Sequence, residues 1–223
     1  MDLTEAMKTR HSVRNYSDKK IEGDVRDKLE KIVEECNNES GMNIQLCLDE
    51  PEAFTGLMVM YGNLKNVRNY VALIGKDMPG LSEACGYYGQ KIVLEAQRLG
   101  LNTCWIGASY NKKKAAKVVK IAPGEKMPLV IAIGYGETQG VPHKNKPMER
   151  LCRCEGEMPP WFRNGMEAVM LAPTAINQQK FLFTLKGNTV TAAAGTGPYS
   201  KVDLGIVKYH FEAGAGSEGW QWG

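Results

Sequence analysis

The sequence predicts an α+β fold, and three observations carry that reading. Two stretches place apolar residues at i, i+4, i+7 and i+8, the spacing of one helix face: Val25, Leu29, Ile32 and Val33, then Phe162, Met166, Val169 and Met170. Phe181 to Leu185 and Thr189 to Ala193 flank Gly187-Asn188, which reads as a β-hairpin. Pro128 to Ile133 is a continuous apolar run, too short for a helix, and reads as a strand buried on both faces.

Taken in order, Asp2 to Lys8 is a short amphipathic segment. Glu22 to Cys36 is the first long helix, ended by Asn37, Asn38, Ser40 and Gly41. Ile44, Leu46 and Leu48 alternate with polar residues as in a half-buried strand. Glu50-Pro51-Glu52 makes a turn, Phe54 to Tyr61 a second strand, and Tyr70 to Ile74 a third apolar run. Leu81 to Leu99 is a helix whose apolar residues spread too widely for one exposed face, so it is expected to be buried. Gly100 caps it, Thr103 to Ile106 is a short strand, and Asn111 to Val119 is a basic helix. Gln139 to Pro160 is rich in proline and charge and reads as a linker. Trp161 to Leu171 is a helix, Ala172 to Gln179 a turn, and Lys201 to Ala213 the last helix. The Gly-rich tail carries Trp220 and Trp222, which could pin it to the core.

Composition narrows the function. The chain has 223 residues, 43% hydrophobic and 24% charged, as ordinary globular proteins do. A net charge of +3, not gathered in one block, argues against a dedicated nucleic-acid binder and leaves room for an anionic cofactor. No apolar run reaches membrane-span length and no signal-peptide pattern opens the chain, so a cytoplasmic protein with six reduced cysteines is expected.

The candidate site begins at Thr9-Arg10-His11-Ser12-Val13-Arg14-Asn15-Tyr16. Arg10, His11, Ser12 and Arg14 gather three potential cations and a hydroxyl within five residues, a donor set suited to a dianionic phosphate. A solvated basic turn after a helix is the plainer alternative.

The pattern Arg-(Arg/His)-Ser-x-(Arg/Lys)-x-(Tyr/Phe) near the N-terminus resembles the phosphate-binding signature of the FMN-dependent nitroreductase family. The resemblance covers most of the chain. It implies a nitroreductase-like fold with a central, mostly antiparallel sheet flanked by helices. It implies FMN as cofactor, its phosphate held by Arg10, His11, Ser12 and Arg14. Gly100 to Gly107 is similar to the family segment that passes the flavin ring, making Trp105, Ile106 and Gly107 candidate contacts. Lys144 and Lys146 are nearest to the family's late basic pair; they either complete the phosphate site or lie in a solvated linker.

The family's Ala-Pro-Ser-x-x-Asn-x-Gln-Pro-Trp motif is absent after the first long helix. A version appears later, as Ala172-Pro173-Thr174-Ala175-Ile176-Asn177-Gln178-Gln179-Lys180-Phe181, so Pro173, Thr174, Asn177 and Gln179 become candidate cofactor contacts. The order helix, loop, strand, turn, strand, helix also occurs twice, from about 24 to 99 and from about 159 to 215. Any two α+β segments can align this loosely. Alternatively, the chain mimics internally the homodimer of ordinary family members. Residues 1–150 would bring the phosphate grip and 151–223 the motif loop, in one compact unit with one flavin site. The chain would then be a monomer or a homodimer.

The implied activity is an FMN-dependent oxidoreductase. NAD(P)H would be the donor and a nitroaromatic, quinone or similar small organic molecule the acceptor, in ping-pong order. No catalytic side chain is needed, because the flavin carries the chemistry. The alternative is a non-catalytic flavin- or small-ligand-binding protein that keeps the fold. The altered motif, with Thr174 for Ser and Lys180-Phe181 for Pro-Trp, bears on both. His210 reads as a satisfied core histidine and His143 as part of a polar linker. Cys152-Arg153-Cys154 lacks the further ligands of a metal site, and no P-loop, dinucleotide fingerprint or nucleophile elbow is present.

Overall fold

The first helix, α1 (Leu3–Thr9), starts where the Asp2 carboxylate accepts the Glu5 N–H at 2.8 Å. It opens a computed structural model that describes residues 1–56 and 62–223. Helix α2 (Gly23–Ser40) buries Leu29, Val33 and Cys36 along the expected stripe. It continues past Cys36 because the polar residues there have partners. The Asn37 amide brackets Ile44, donating to its carbonyl at 2.9 Å and accepting its N–H at 2.7 Å. Gly41, with φ 67°, then ends the helix in the left-handed conformation.

The first sheet comprises β1 (Gln45–Cys47), β2 (Asn69–Lys76), β3 (Asn102–Ile106) and β4 (Glu125–Gly134). Its order is β1-β2-β4-β3 and every pair is antiparallel. The inner strand β4 is buried on both faces, as its apolar run predicts. Leu129, Ile131 and Ile133 join one core cluster, Val130 and Ala132 another. Helices α2 and α3 (Leu81–Arg98) cover the first face. The basic helix α4 (Lys112–Val118), capped by Asn111, lies over the second. Of the strand expected from Phe54 to Tyr61, Phe54 instead closes a 3-10 turn, Pro51–Phe54, and residues 57–61 lie outside the described residues.

The second half adds β5 (Cys152–Cys154), α5 (Pro160–Val169), β6 (Phe181–Lys186), β7 (Thr189–Ala194), α6 (Ser200–Ala215) and β8 (Gln221–Trp222). The stretch read as a linker is therefore structured: Cys152–Cys154 runs parallel to β6, with Leu151 buried beneath it. Three residues are too few for alternation to show, and the strand exists only because β6 offers an edge. The tail is pinned in the same way, β8 lying parallel to β7. The expectation of one central sheet thus becomes two four-stranded sheets, the second a hairpin with a parallel strand on each edge.

Helices α3 and α6 join the two sheets. Gly86 and Gly205 mark their crossing. A methyl group on Gly86 would strike the Val202 carbonyl oxygen, and one on Gly205 the Glu83 carbonyl oxygen. Each helix follows a proline and one left-handed residue, Pro79-Gly80 (φ 95°) and Pro198-Tyr199 (φ 57°). The larger core cluster draws Leu29 and Ile92 from one half and Phe162 and Phe211 from the other. Among the described residues no helix is long and apolar enough to cross a membrane.

Candidate functional site

Residues 10–16 leave α1 as an extended arm along the open edge of β3. The Val13 N–H donates to the Thr103 carbonyl at 3.0 Å, and the Tyr16 N–H to the Lys65 carbonyl at 3.2 Å. Val13 and Tyr16 are buried, and the Tyr16 hydroxyl donates back to the Val13 carbonyl at 2.7 Å. On either side of Val13, alternation sends Ser12 and Arg14 away from its buried face, toward a cleft.

The loop 172–179 forms the facing wall. It is tightly bent: Ile176, Asn177 and Gln179 all have left-handed backbones, φ 48°, 54° and 44°. Left-handed backbone costs a non-glycine residue about 1–2 kcal/mol, most for a β-branched one such as Ile176. Side chains hold the bend. Asp203, in the first turns of α6, accepts from the Ala175 N–H at 2.9 Å and from Gln178 Nε2 at 2.7 Å. Desolvation pushes the Asp203 carboxyl up, and those two bonds oppose the shift. Gln179 donates to the Lys144 carbonyl at 2.9 Å and accepts from the Lys146 N–H at 2.9 Å. Lys146 Nζ donates to the carbonyls of Gln178 and Gln179 at 2.6 and 3.0 Å.

Arm and loop enclose a cleft with two ends that share Ser12, Arg14, Pro173, Thr174 and Ile176. The inner end, about 120 Å³, has Trp105, Ile106, Gly107 and Tyr199 in its wall. The outer end, about 290 Å³, has Arg10, His11, His143 and Asn177. So Arg10, His11, Ser12, Arg14, Trp105, Ile106, Gly107, Pro173, Thr174 and Asn177 meet in one cleft of a single chain. Gln179, Lys144 and Lys146 lie outside its lining. The Gln179 amide is taken up by the backbone of Lys144 and Lys146, the Lys146 ammonium by the loop backbone, and Lys144 meets the loop through its carbonyl.

Three lining residues escape sequence reasoning. His143 faces the outer end, although its run of polar neighbours reads as linker; its Nε2 donates to the Met170 carbonyl at 3.1 Å. Asp203 borders the inner end only because α6 starts beside the loop. Tyr199 stands with its ring where a side chain on Gly107 would be, so the space beside Gly107 admits Tyr199 rather than the open approach expected there.

The outer end is electrostatically unbalanced. Arg10 is only 3% exposed, its Nε is sealed without a hydrogen-bond partner, and among the described residues no carboxylate forms a salt bridge with it. Burial pushes its guanidinium down to about 10, which still leaves it charged at neutral pH. Burial, then the nearby Arg10 charge, lowers both His11 and His143. A buried cation without a counter-charge costs several kcal/mol, and an anion entering the cleft would remove that cost. Behind the inner end, Trp105 Nε1 donates to Gln90 Oε1 at 3.2 Å, and Gln90 Nε2 meets His210 Nε2 at 2.9 Å. His210 Nδ1 donates to the Ala168 carbonyl at 2.9 Å. Burial holds this ring neutral, pushed down to about 3, as a satisfied core histidine should be.

Residues 2–215 match the family model described as "Putative TM nitroreductase". Among solved structures, a "putative nitroreductase" from Thermotoga maritima superposes with a TM-score of 0.67 at 22% identity, over 95% of this chain and 82% of that one. A nitroreductase family protein from Streptococcus pneumoniae gives 0.54 at 14% identity, over 67% and 98%. A protein described as an FMN-dependent nitroreductase, from Clostridium difficile, gives 0.49 at 21%, over 60% and 87%. Among curated proteins none matches the chain.

Proposed function

Because the chain belongs to the TM1586-type nitroreductase family, we propose that it is an FMN-dependent oxidoreductase that takes hydride from NAD(P)H and passes it to a nitroaromatic, quinone or related acceptor. The observation that carries this reading is Arg10, a buried guanidinium without a counter-ion, at the wall of a cleft with His11, Ser12 and Arg14. The donor set fits a phosphate monoester: two guanidinium forks, a hydroxyl and imidazoles, with no carboxylate among the described residues at that end of the cleft.

FMN, when bound, would supply the hydride-transfer chemistry. The chain's own residues position and shield. Arg10, His11, Ser12 and Arg14 hold the phosphate. Trp105 and Ile106 give the inner end an apolar wall, and the bond from Trp105 to Gln90 fixes the indole. Pro173, Thr174 and Asn177 close the cleft from the second half of the same chain. Arg14 borders both ends, so its charge reaches a ligand at either. One cleft serving both substrates accords with ping-pong order.

The repeated helix–strand–strand–helix order, α2-β1-β2-α3 and α5-β6-β7-α6, and the reciprocal glycine crossing support an internal pseudo-dimer, with residues 1–150 and 151–223 as its unequal halves and one flavin site per chain. Six free thiols, five of them buried, suit a reducing compartment such as the cytoplasm. The test is optical. The purified protein titrated with FMN should turn yellow and be bleached by NAD(P)H, and quinone should restore the colour. A protein that ignores FMN would sink this reading in favour of a non-catalytic binder.

A further inference from the structure

We propose that the outer end of the cleft is a proton-loaded anion trap, in which His143 and His11 together take up a proton when a phosphate monoester binds beside Arg10. The inference rests on the flavin-phosphate reading above and adds the state of charge that binding requires.

His143 is held in place independently of any ligand. Its Nε2 lies 3.1 Å from the Met170 carbonyl at the end of α5, so Nε2 carries a hydrogen and donates. In the neutral ring Nδ1 is then a bare acceptor. Such a ring presents no N–H to a phosphate and no charge. It gains both by binding a proton at Nδ1. His11 stands on the arm next to Arg10, within electrostatic reach of His143.

The groups that face the pair come from every side of this end of the cleft. The arm brings Arg10 and Arg14. The loop brings Asn177, which is uncharged, and α5 brings only the Met170 carbonyl. Lys144 follows His143 in the chain but lies outside the lining, and among the described residues no carboxylate lines the outer end. The imidazoles therefore sit in an uncompensated positive field that opposes a further proton. A dianion placed among them reverses the sign of that field. The step balances simply: the ligand enters as the dianion, one proton comes from solvent, and the complex gains one positive charge on an imidazole.

The consequence is linkage. Whatever binds together with a proton binds more tightly as pH falls, by up to about tenfold per pH unit for one proton. The lower limit is the phosphate's own second ionisation, near pH 6, below which the ligand arrives already protonated. FMN affinity should therefore rise from about pH 8.5 to about 6.5 and then level off, since below that the ligand brings the proton itself. Riboflavin, lacking the phosphate, should show no such rise.

The test is calorimetric titration of the wild-type protein with FMN at about pH 7.5, in two phosphate-free buffers of different ionisation enthalpy. The expected result is uptake of about half a proton or more with FMN and none with riboflavin. His143→Gln should reduce that uptake and flatten the pH profile. No proton uptake, with FMN still binding well above riboflavin, overturns the trap and leaves the phosphate site standing. Full uptake retained in His143→Gln overturns the role of His143. Equal affinity for FMN and riboflavin overturns the trap and the phosphate assignment together.

Discussion

The starts of α3 and α6 are built alike and do opposite things. Each follows a proline and a left-handed residue, and each carries its crossing glycine, Gly86 or Gly205, at the same spacing from that residue. At α3 the left-handed residue is Gly80, with open space around it, next to Gly41 and Met42. At α6 it is Tyr199, a side chain in a conformation that suits glycine, with its ring against Gly107 and the cleft before it. Asp203 and the bent loop 172–179 stand there too, and the cationic arm arrives from the N-terminus. The two helix starts are alike; the chemistry beside them is not. Backbone strain collects at the end with the cleft, where Tyr199, Ile176, Asn177 and Gln179 all sit at positive φ. Strain of this kind persists where surrounding bonds over-determine it, and it clusters at functional sites.

The shared crossing offers the largest effect. Gly86→Ala and Gly205→Ala each drive a methyl into a backbone carbonyl that cannot rotate away. Each should cost about 3 kcal/mol in urea unfolding, because overpacking against main chain admits little relief. Similar losses would sharpen the view of a reciprocal crossing; a harmless change on one helix would break it.

The arm marks the unequal end. Arg10→Ala should weaken FMN binding by about 2 kcal/mol, roughly 30-fold, and leave riboflavin almost untouched. Fluorescence titration with both ligands reads the difference. Equal losses would mean that Arg10 only supports the fold.

Across the crossing, Gln90 of α3 meets His210 of α6, and this link titrates. The His210 value falls from 6.5 to about 3 on folding. Below pH 6.5 the unfolded chain takes a proton that the native ring refuses, so stability falls as pH drops, by about 1.4 kcal/mol per unit toward the native value. Above pH 6.5 the effect vanishes. His210→Gln should remove that part of the slope between pH 6 and 4, as measured by denaturant midpoints; an unchanged slope would place the acid sensitivity elsewhere.

The smallest effect concerns the strained loop. Ile176 is 88% exposed with φ 48°, so it gains little from burial. Ile176→Asn, which tolerates the left-handed region, should raise stability by about 1 kcal/mol. Thermal unfolding would show it, and a loss of stability instead would reveal a packing role for Ile176.

Much of the framework was legible because it is local. The stripes of α2 and α5 and the Gly187-Asn188 turn encode their own geometry, and the apolar run of β4 announces burial on both faces. Strands β5 and β8 were not legible, since each is an edge added to a hairpin formed elsewhere in the chain. In the cleft, residue type alone left the arm open between a phosphate grip and a solvated basic turn, and the family resemblance favoured the grip. Gln179 misled: its amide suits a ligand contact and a backbone brace equally, and here it braces. Tyr199, Asp203 and His143 depend on where α6 and the segment after β4 pass in space, which no local pattern carries.

The tryptophans are divided in a way that makes the molecule its own two-colour gauge. Trp161, Trp220 and Trp222 sit with Phe211 beside the second sheet, Trp220 and Trp222 with ring centres 5.0 Å apart. Trp105 stands apart, half-buried in the wall of the cleft and hydrogen-bonded to Gln90. An absorbing ligand in the cleft would drain emission first from Trp105, while the aromatic knot at the C-terminus reports whether the tail is docked. With Trp105→Phe as the blank, one emission spectrum would separate occupancy of the cleft from fraying of the tail.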